Sequence, residues 1–279
     1  MNTRIIVDST TDLLPALKNR VSIVPLTVHF GEEEYIDGVT IDHKAFYEKL
    51  IETDILPSTS QATPAAFAEQ FEQVQKAGDE AVVITLSSNL SGTYQSAVIA
   101  AQEYENIYIV DSGTAAIGSG ILLELALRYL DAGMCAKEIA EKLEEEKKKI
   151  IVVALVDTLD YLKMGGRVSK TVAFAGTVLN IKPVLSICNG EIQILGKARG
   201  SKQGNNLLVQ EIEKAGGVDF CRPVLLGYTG ISDALLLKYM EDSKRLWEEG
   251  PAELRYTTIG SVIGTHAGPG AVAVAFFKK

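Results

Sequence analysis

Cysteine is scarce in this chain, and scattered. Cys135, Cys188 and Cys221 are odd in number, lie far apart and form no CxxC pair. A disulfide framework is excluded, no zinc-ligand spacing is present, and reduced structural thiols in a cytoplasmic setting are expected. Basic charge is also short: 27 Lys and Arg stand against 36 Asp and Glu, a net charge of −9. That disfavours non-specific binding of nucleic acid by the chain as a whole. The first residues, MNTRIIVDST, lack the apolar stretch of a signal peptide, so no export is expected. No apolar run is both long and uncharged enough to span a bilayer. The most apolar helical pattern, 114–130, carries Glu124 and Arg128 and reads as a buried helix of a layered fold. Internal repeats and low-complexity segments are absent. What remains is an ordinary soluble composition, 47% hydrophobic and 23% charged over 279 residues, enough for a sizeable core and two domains.

The most informative segment is Ser87 to Tyr94, SSNLSGTY. It follows an apolar strand pattern, 81–86, and opens a helix that runs on from Tyr94. A hydroxyl-rich loop at a helix start is an anion cradle: free backbone N–H groups, Ser and Thr hydroxyls and the positive end of the helix dipole converge there. Gly92 permits close backbone approach. The loop has no Lys and does not match the nucleotide-binding P-loop, so a small anionic group, a carboxylate or a single phosphate, is expected.

The rest of the pattern is α/β. A strand over 4–7 leads to Asp8-Ser9-Thr10, with a helix expected over 12–18 and capped by Thr11. One strand is expected over 21–30, a short one at 35–36, a helix from the Asp42 cap to Ile51, and a polar loop over 56–63. From Pro64 the pattern is regular: helix 64–77, strand 81–86, helix 93–104, strand 107–110, helix 114–131, helix 136–149. This alternation predicts a mainly parallel sheet with helices on both faces and a ligand site at the strand C-terminal edge, where Asp8 and Asp111 also fall. A boundary is expected after Lys147-Lys148-Lys149, giving domains 1–149 and 150–279. The second half predicts strand 151–156, helix 157–164, a helix near 170–178, and strands 183–187 and 191–195 joined at Asn189-Gly190. Helix 201–215, strand 223–229, helix 232–246, strand 254–258, a loop and a last strand, 271–277, follow. The hairpin makes this second sheet mixed.

Several residues stand out as site candidates. Thr59, Ser60 and Gln61 precede helix 64–77 as Ser91, Gly92 and Thr93 precede the next, so both loops can open at one sheet edge. His266 lies in a Gly/Pro-rich stretch, GTHAGPG, expected as a loop that brings main chain close to a ligand; His29 and His43 read as a strand residue and a surface helix residue. Lys197, Arg199 and Lys202 cluster between a strand and a helix and can dock an anionic partner. Gly165-Gly166-Arg167 reads as a helix end with a left-handed turn, and the apolar residues around it, including Leu162, Phe174, Val178 and Ile181, can line a tunnel.

These segments, taken in order, resemble the DegV family, the fatty-acid-binding subunits of bacterial fatty acid kinase. The matching stretches are IIVDSTTDL (5–13), TSQATP (59–64), SSNLSGTYQSA (87–97), VDSGT (110–114), LDYLKMGGRV (159–168), NIKPVL (180–185), GKARGSK (196–202) and IGTHAGPGAVAVAF (263–276). The resemblance implies a DegV-like fold of two α/β domains with a long-chain fatty acid buried between them. Thr59, Ser91 and His266 match the family's carboxylate-binding positions, and Arg199 a basic position that engages the kinase or a membrane surface. It further implies that a separate ATP-dependent kinase phosphorylates the bound carboxylate. The chain, not itself an enzyme and without a cofactor, then carries the acyl-phosphate toward phospholipid synthesis. Ala62 stands where Pro is common after TSQ, and Val168 where Ile is common. A regulatory lipid sensor is an alternative. So is a hydrolase, with Ser91 as nucleophile, His266 as base and Asp8 or Asp111 as orienter, although Ser91 lies in no GxSxG elbow.

Overall fold

A computed structural model describes residues 1–168 and 180–279. The helix expected near 170–178 lies outside the described residues. The chain runs through β1 (Thr3–Asp8), β2 (Ser22–Val24), β3 (Thr27–Phe30), β4 (Glu33–Ile36), α1 (His43–Glu52), β5 (Ser58–Ser60) and α2 (Pro64–Lys76). Then β6 (Glu80–Thr85), α3 (Thr93–Ala101), β7 (Ile107–Asp111), α4 (Ile117–Asp131) and α5 (Ala136–Glu146) follow the expected alternation. The second half comprises β8 (Ile150–Leu155), α6 (Asp160–Met164), β9 (Ile181–Cys188), β10 (Glu191–Arg199), α7 (Gly200–Lys214), β11 (Leu225–Tyr228), α8 (Ala234–Asp242), β12 (Tyr256–Thr258), α9 (Ser261–Ala267) and β13 (Val272–Phe277).

These strands form three sheets. The first has the order β2-β1-β6-β7 and is parallel throughout. The second, β4-β3-β5, is small and antiparallel. The third, β10-β9-β8-β13-β11-β12, is mixed, with β11 and β12 its parallel pair. Parallel pairing puts the C-terminal ends of β1, β6 and β7 on one edge. There Asp8 accepts from the Leu86 N–H at 2.7 Å and the Thr10 N–H at 2.9 Å, and the Ser87 N–H donates to Thr114 O at 2.7 Å. Asp8 is fully buried with no cation beside it among the described residues, and that burial pushes its carboxyl up to about 6 against the donors that favour ionisation.

α4 joins the first and third sheets. Its residues from Ile117 to Leu127 are all buried, and one core runs from Ile5 and Val82 through Ile121 and Leu125 to Val152 and Ala275. A helix apolar all round is what such a middle layer requires. Its one buried acid, Glu124, is paired with both Arg128 and Arg255 at 2.9 Å.

Four of the expected elements differ most from the structure. The helix over 12–18 is replaced by a short 3-10 helix at Pro15–Arg20, because Asp12 is drawn inward to a distant backbone group, Gly260 N–H. The strand over 21–30 is two strands in different sheets. Pro25 has no N–H to give a ladder, so β2 stays with β1 while β3 crosses to β4 and β5. The polar loop over 56–63 contains β5, three residues that become a strand because β3 supplies the partner backbone. The loop around His266 begins as α9, which Gly268 ends at a φ of 69° before Pro269.

Candidate functional site

β5 carries Thr59 beside Val28 of β3, and α9 carries His266 in its last turn. The two meet: Thr59 Oγ1 lies 2.9 Å from His266 Nε2. The strand alternation turns Ser60 the other way, and its hydroxyl is taken by His29 Nε2 at 2.8 Å. Burial lowers the His266 pKa to about 4, with the nearby Arg167 charge adding to the effect. The imidazole is therefore neutral at physiological pH. Its other nitrogen, Nδ1, is buried, faces Gly165 and has no hydrogen-bond partner among the described residues.

The hydroxyl loop closes on the same place. Ser91 Oγ lies 2.9 Å from Thr93 Oγ1 and accepts from the Thr93 N–H at 3.2 Å, while Thr93 Oγ1 also accepts from the Ala62 N–H at 3.3 Å. Thr93 is thus fully buried behind Ser91 and ties the two loops together. Gln61 completes the tie by donating to Ser96 Oγ at 3.0 Å. Its side chain fills the space over Gly92, where a Cβ would fall 2.1 Å from Gln61 Oε1. The glycine is needed for this packing of Gln61, whereas the sequence pointed to close approach of a ligand.

Thr59, Ser60, Gln61, Ser91, Gly92 and His266 all border one cavity of about 390 Å³. Its other walls are mainly apolar, apart from Arg167 and Ser186: Leu26, Leu86 and Ala115 from the first half, and Val152, Ala154, Leu162, Leu185, Val262 and Ala273 from the second. The volume falls within the range of about 300–1,000 Å³ usual for ligand pockets. Leu162 is on this wall. Ile181, paired with Arg199 across β9 and β10, is not among its described lining residues, and Phe174 and Val178 lie outside the described residues.

Arg167 was not foreseen at the cavity, where only neutral donors were expected. The α6 helix ends in a Schellman turn: Gly166, at a φ of 72°, donates to Lys163 O and Arg167 donates to Leu162 O. This swings the Arg167 side chain back over the helix end. Its guanidinium donates to Leu90 O at 3.2 Å and to Gly165 O, and it borders the cavity beside the hydroxyl loop. The Gly-Gly-Arg sequence held that signal, since the residue after a left-handed glycine folds back on its own helix.

Lys197 and Arg199 lie within β10, which a bulge at Ile194/Gly196 carries beyond the expected end at residue 195, and Lys202 lies in α7. All three are exposed, and none borders the cavity. A Ser–His–Asp arrangement is not assembled. His266 bonds Thr59 rather than Ser91, Asp8 is engaged with Thr10 and Leu86, and Asp111 accepts from the Ser88 and Gly113 N–H groups. Among the described residues no helix is long and apolar enough to cross a membrane, and no cluster of His, Cys, Asp or Glu could hold a metal ion.

The depressed His266 pKa has a measurable consequence. The unfolded chain takes up this proton near pH 6.5, the folded chain only near 4, so stability is lost as pH falls through that window. On acidification from neutral pH to about pH 4, wild type should lose about 3 kcal/mol more than His266→Gln, read by chemical denaturation. Parallel losses in both proteins would show that the ring is not buried as described.

The model of the family described as uncharacterised protein, DegV family, matches residues 2–279. A DegV domain-containing protein of Caldanaerobacter subterraneus is 36% identical over 280 residues, covering 99% of this chain and 98% of that protein. Among solved structures, a fatty-acid-binding DegV family protein from Thermus thermophilus superposes with a TM-score of 0.88 at 29% identity, each chain fully covered. A stearic-acid-binding protein from Eubacterium ventriosum gives 0.88 at 27% identity, with 100% and 99% covered. This chain belongs to the DegV family.

Proposed function

We propose that the cavity binds a long-chain fatty acid and that the chain presents its carboxylate to a separate ATP-dependent kinase, then carries the acyl-phosphate toward phospholipid synthesis. The observation that carries this reading is an apolar cavity whose polar groups, Thr59, Ser91, His266 and Arg167, gather around the hydroxyl loop. Burying each methylene of an acyl chain is worth about 0.8 kcal/mol, and the carboxylate needs donors or its burial is costly. A neutral His266 with its proton on Nε2 donates to Thr59 Oγ1, which leaves the Thr59 hydroxyl proton free for a ligand oxygen. The fatty acids bound by the Thermus and Eubacterium relatives support the same ligand class.

In this reading residues 1–149 supply the carboxylate loops and residues 150–279 the acyl wall and His266. The chain works in the cytoplasm without a cofactor, exchanges its acyl cargo transiently at a membrane surface, and leaves catalysis to the kinase. Exposed Arg199 and Lys202, with Lys197 beside them, form the surface assigned to that kinase. Mass spectrometry of an organic extract of the purified protein tests the ligand: a stoichiometric long-chain acid is expected, and a well-folded sample without lipid would refute the reading. Reconstitution with a matching kinase and ATP tests the carrier role. There Arg199→Ala should slow phosphoryl transfer about tenfold with an unchanged fatty-acid content. Loss of the lipid instead would move Arg199 from the docking surface to the binding site.

A further inference from the structure

α9 is seven residues long, too short to hold its position by its own hydrogen bonds. It nevertheless sets the site, because Val262, Ile263, His266 and Ala267 all border the cavity. The residue that caps its start is Gly260. Glycine turns about its backbone more freely than other residues, so a helix that starts from it is poorly aimed unless something outside fixes the first peptide.

Two side chains from the other half of the chain do so. Tyr47, in the middle of α1 and fully buried, donates its hydroxyl proton to Ile259 O at 2.8 Å. Asp12, in the loop after β1, accepts from the Gly260 N–H at 2.8 Å through Oδ1. Ile259 C=O and Gly260 N–H are the two poles of one peptide group, and in a trans peptide they point in opposite directions. One bond alone would leave the plane a pivot; bonds at both poles stop its rotation. Two residues earlier, the Thr257 hydroxyl donates to Leu13 O at 3.3 Å, next to Asp12 in sequence.

The contact continues into the helix. A Cβ on Gly264 would fall 2.4 Å from the Tyr47 hydroxyl oxygen and 2.8 Å from Phe46 Cε1, so α9 lies directly on α1. A Cβ on Gly260 would fall 3.1 Å from both Asp12 Oδ1 and His43 Nε2. His43, expected as a surface residue, thus turns its ring toward the same peptide. From Gly260 the backbone bonds of α9 run to Gly264 and on to Gly268, each at 2.8 Å, and His266 stands between the last two. We propose that Asp12 and Tyr47 are positioning residues: they hold the Ile259–Gly260 peptide at both poles, and this grip, carried through α9, keeps the His266 ring on Thr59.

The His266 titration, followed by NMR, reads the position of the ring without any ligand. In wild type the buried ring titrates at about 4. Tyr47→Phe removes only the hydroxyl; α9 should loosen, water should reach the imidazole, and the midpoint should rise to about 5 or higher, toward the value of about 6.5 for a solvated ring. Asp12→Ala should raise it in the same way and serves if Tyr47→Phe folds poorly. Asp12→Asn, whose amide oxygen still accepts from Gly260, should restore the wild-type midpoint. Tyr239→Phe, which removes a buried hydroxyl from the core of the third sheet, should not move it. A wild-type midpoint in folded Tyr47→Phe and Asp12→Ala would overturn the proposal, as would an equal rise in Asp12→Asn or in Tyr239→Phe. A second readout rests on the fatty-acid reading: Tyr47→Phe should hold bound acid about tenfold less tightly, and that loss should vanish in a His266→Ala background. A loss undiminished there would also overturn the grip. A wild type that holds no acid sinks the fatty-acid reading alone, since the titration still decides the grip.

Discussion

Ala273→Phe is expected to give a folded protein that purifies without its acyl ligand. Ala273 of β13 pairs with Ala154 of β8 on one side and Gly227 of β11 on the other. Three neighbouring strands thus present small residues at one level of the third sheet, and Ala154 and Ala273 both border the cavity. The cavity exists because these positions are small where Leu185, the next partner in the row, is large. A benzyl group at Ala273 occupies the space that the acyl chain would take. If it displaces about four methylenes, roughly 3 kcal/mol of burial is lost, a reduction in affinity of more than about a hundredfold. The ring enters open volume rather than a filled core, so thermal stability of the lipid-free protein should hold or rise. Ala273→Leu, a smaller plug, should shift the extracted acids toward shorter chains. A full complement of long-chain acid in folded Ala273→Phe would place the acyl chain elsewhere.

The elements that were legible in the sequence are those whose stability is written in their own residues. The alternation from Pro64 to Asp131 carries the helical and strand periods, Asn189-Gly190 takes the positive φ angles of a tight hairpin, and Gly165-Gly166 closes a helix by its own backbone bonds. The Thr59 and Ser91 loops do meet, but not as loops of one parallel sheet: Thr59 lies in β5 of the small antiparallel sheet, and the tie runs through Ala62–Thr93 and Gln61–Ser96. The unread elements depend on partners distant in sequence. β5 is a strand because β3 lies beside it, and α9 is a helix because Asp12, Tyr47 and Phe46 pack its first turns. Gly264 suggests a loop, yet its missing Cβ is what lets the Tyr47 hydroxyl approach, 2.4 Å from where that Cβ would stand. Arg167 escaped notice for a different reason. Its neighbours in sequence explain the turn, but only the fold shows that the turn faces the hydroxyl loop.

Gly165→Ala should weaken fatty-acid retention about 10- to 100-fold without unfolding the protein. Gly165 ends α6 in an ordinary helical conformation, with φ at −70° and ψ at −9°, so alanine suits the backbone and limits the unfolded chain. Its new methyl group, however, would stand 2.1 Å from His266 Nδ1 and 2.8 Å from Cε1. The imidazole must swing away, and the Thr59–His266 contact breaks. The substitution is thus a probe of ring position made without touching the ring. A displaced and hydrated imidazole should titrate well above the value of about 4 that burial imposes. If the effect runs through His266, the double variant Gly165→Ala/His266→Ala binds no more weakly than His266→Ala alone. Losses that multiply would instead mean that the α6 turn contacts the ligand by another route. Strict dependence on His266 would tie the close approach of Gly165, the buried neutral imidazole and the Thr59 hydroxyl into a single device for holding a carboxylate.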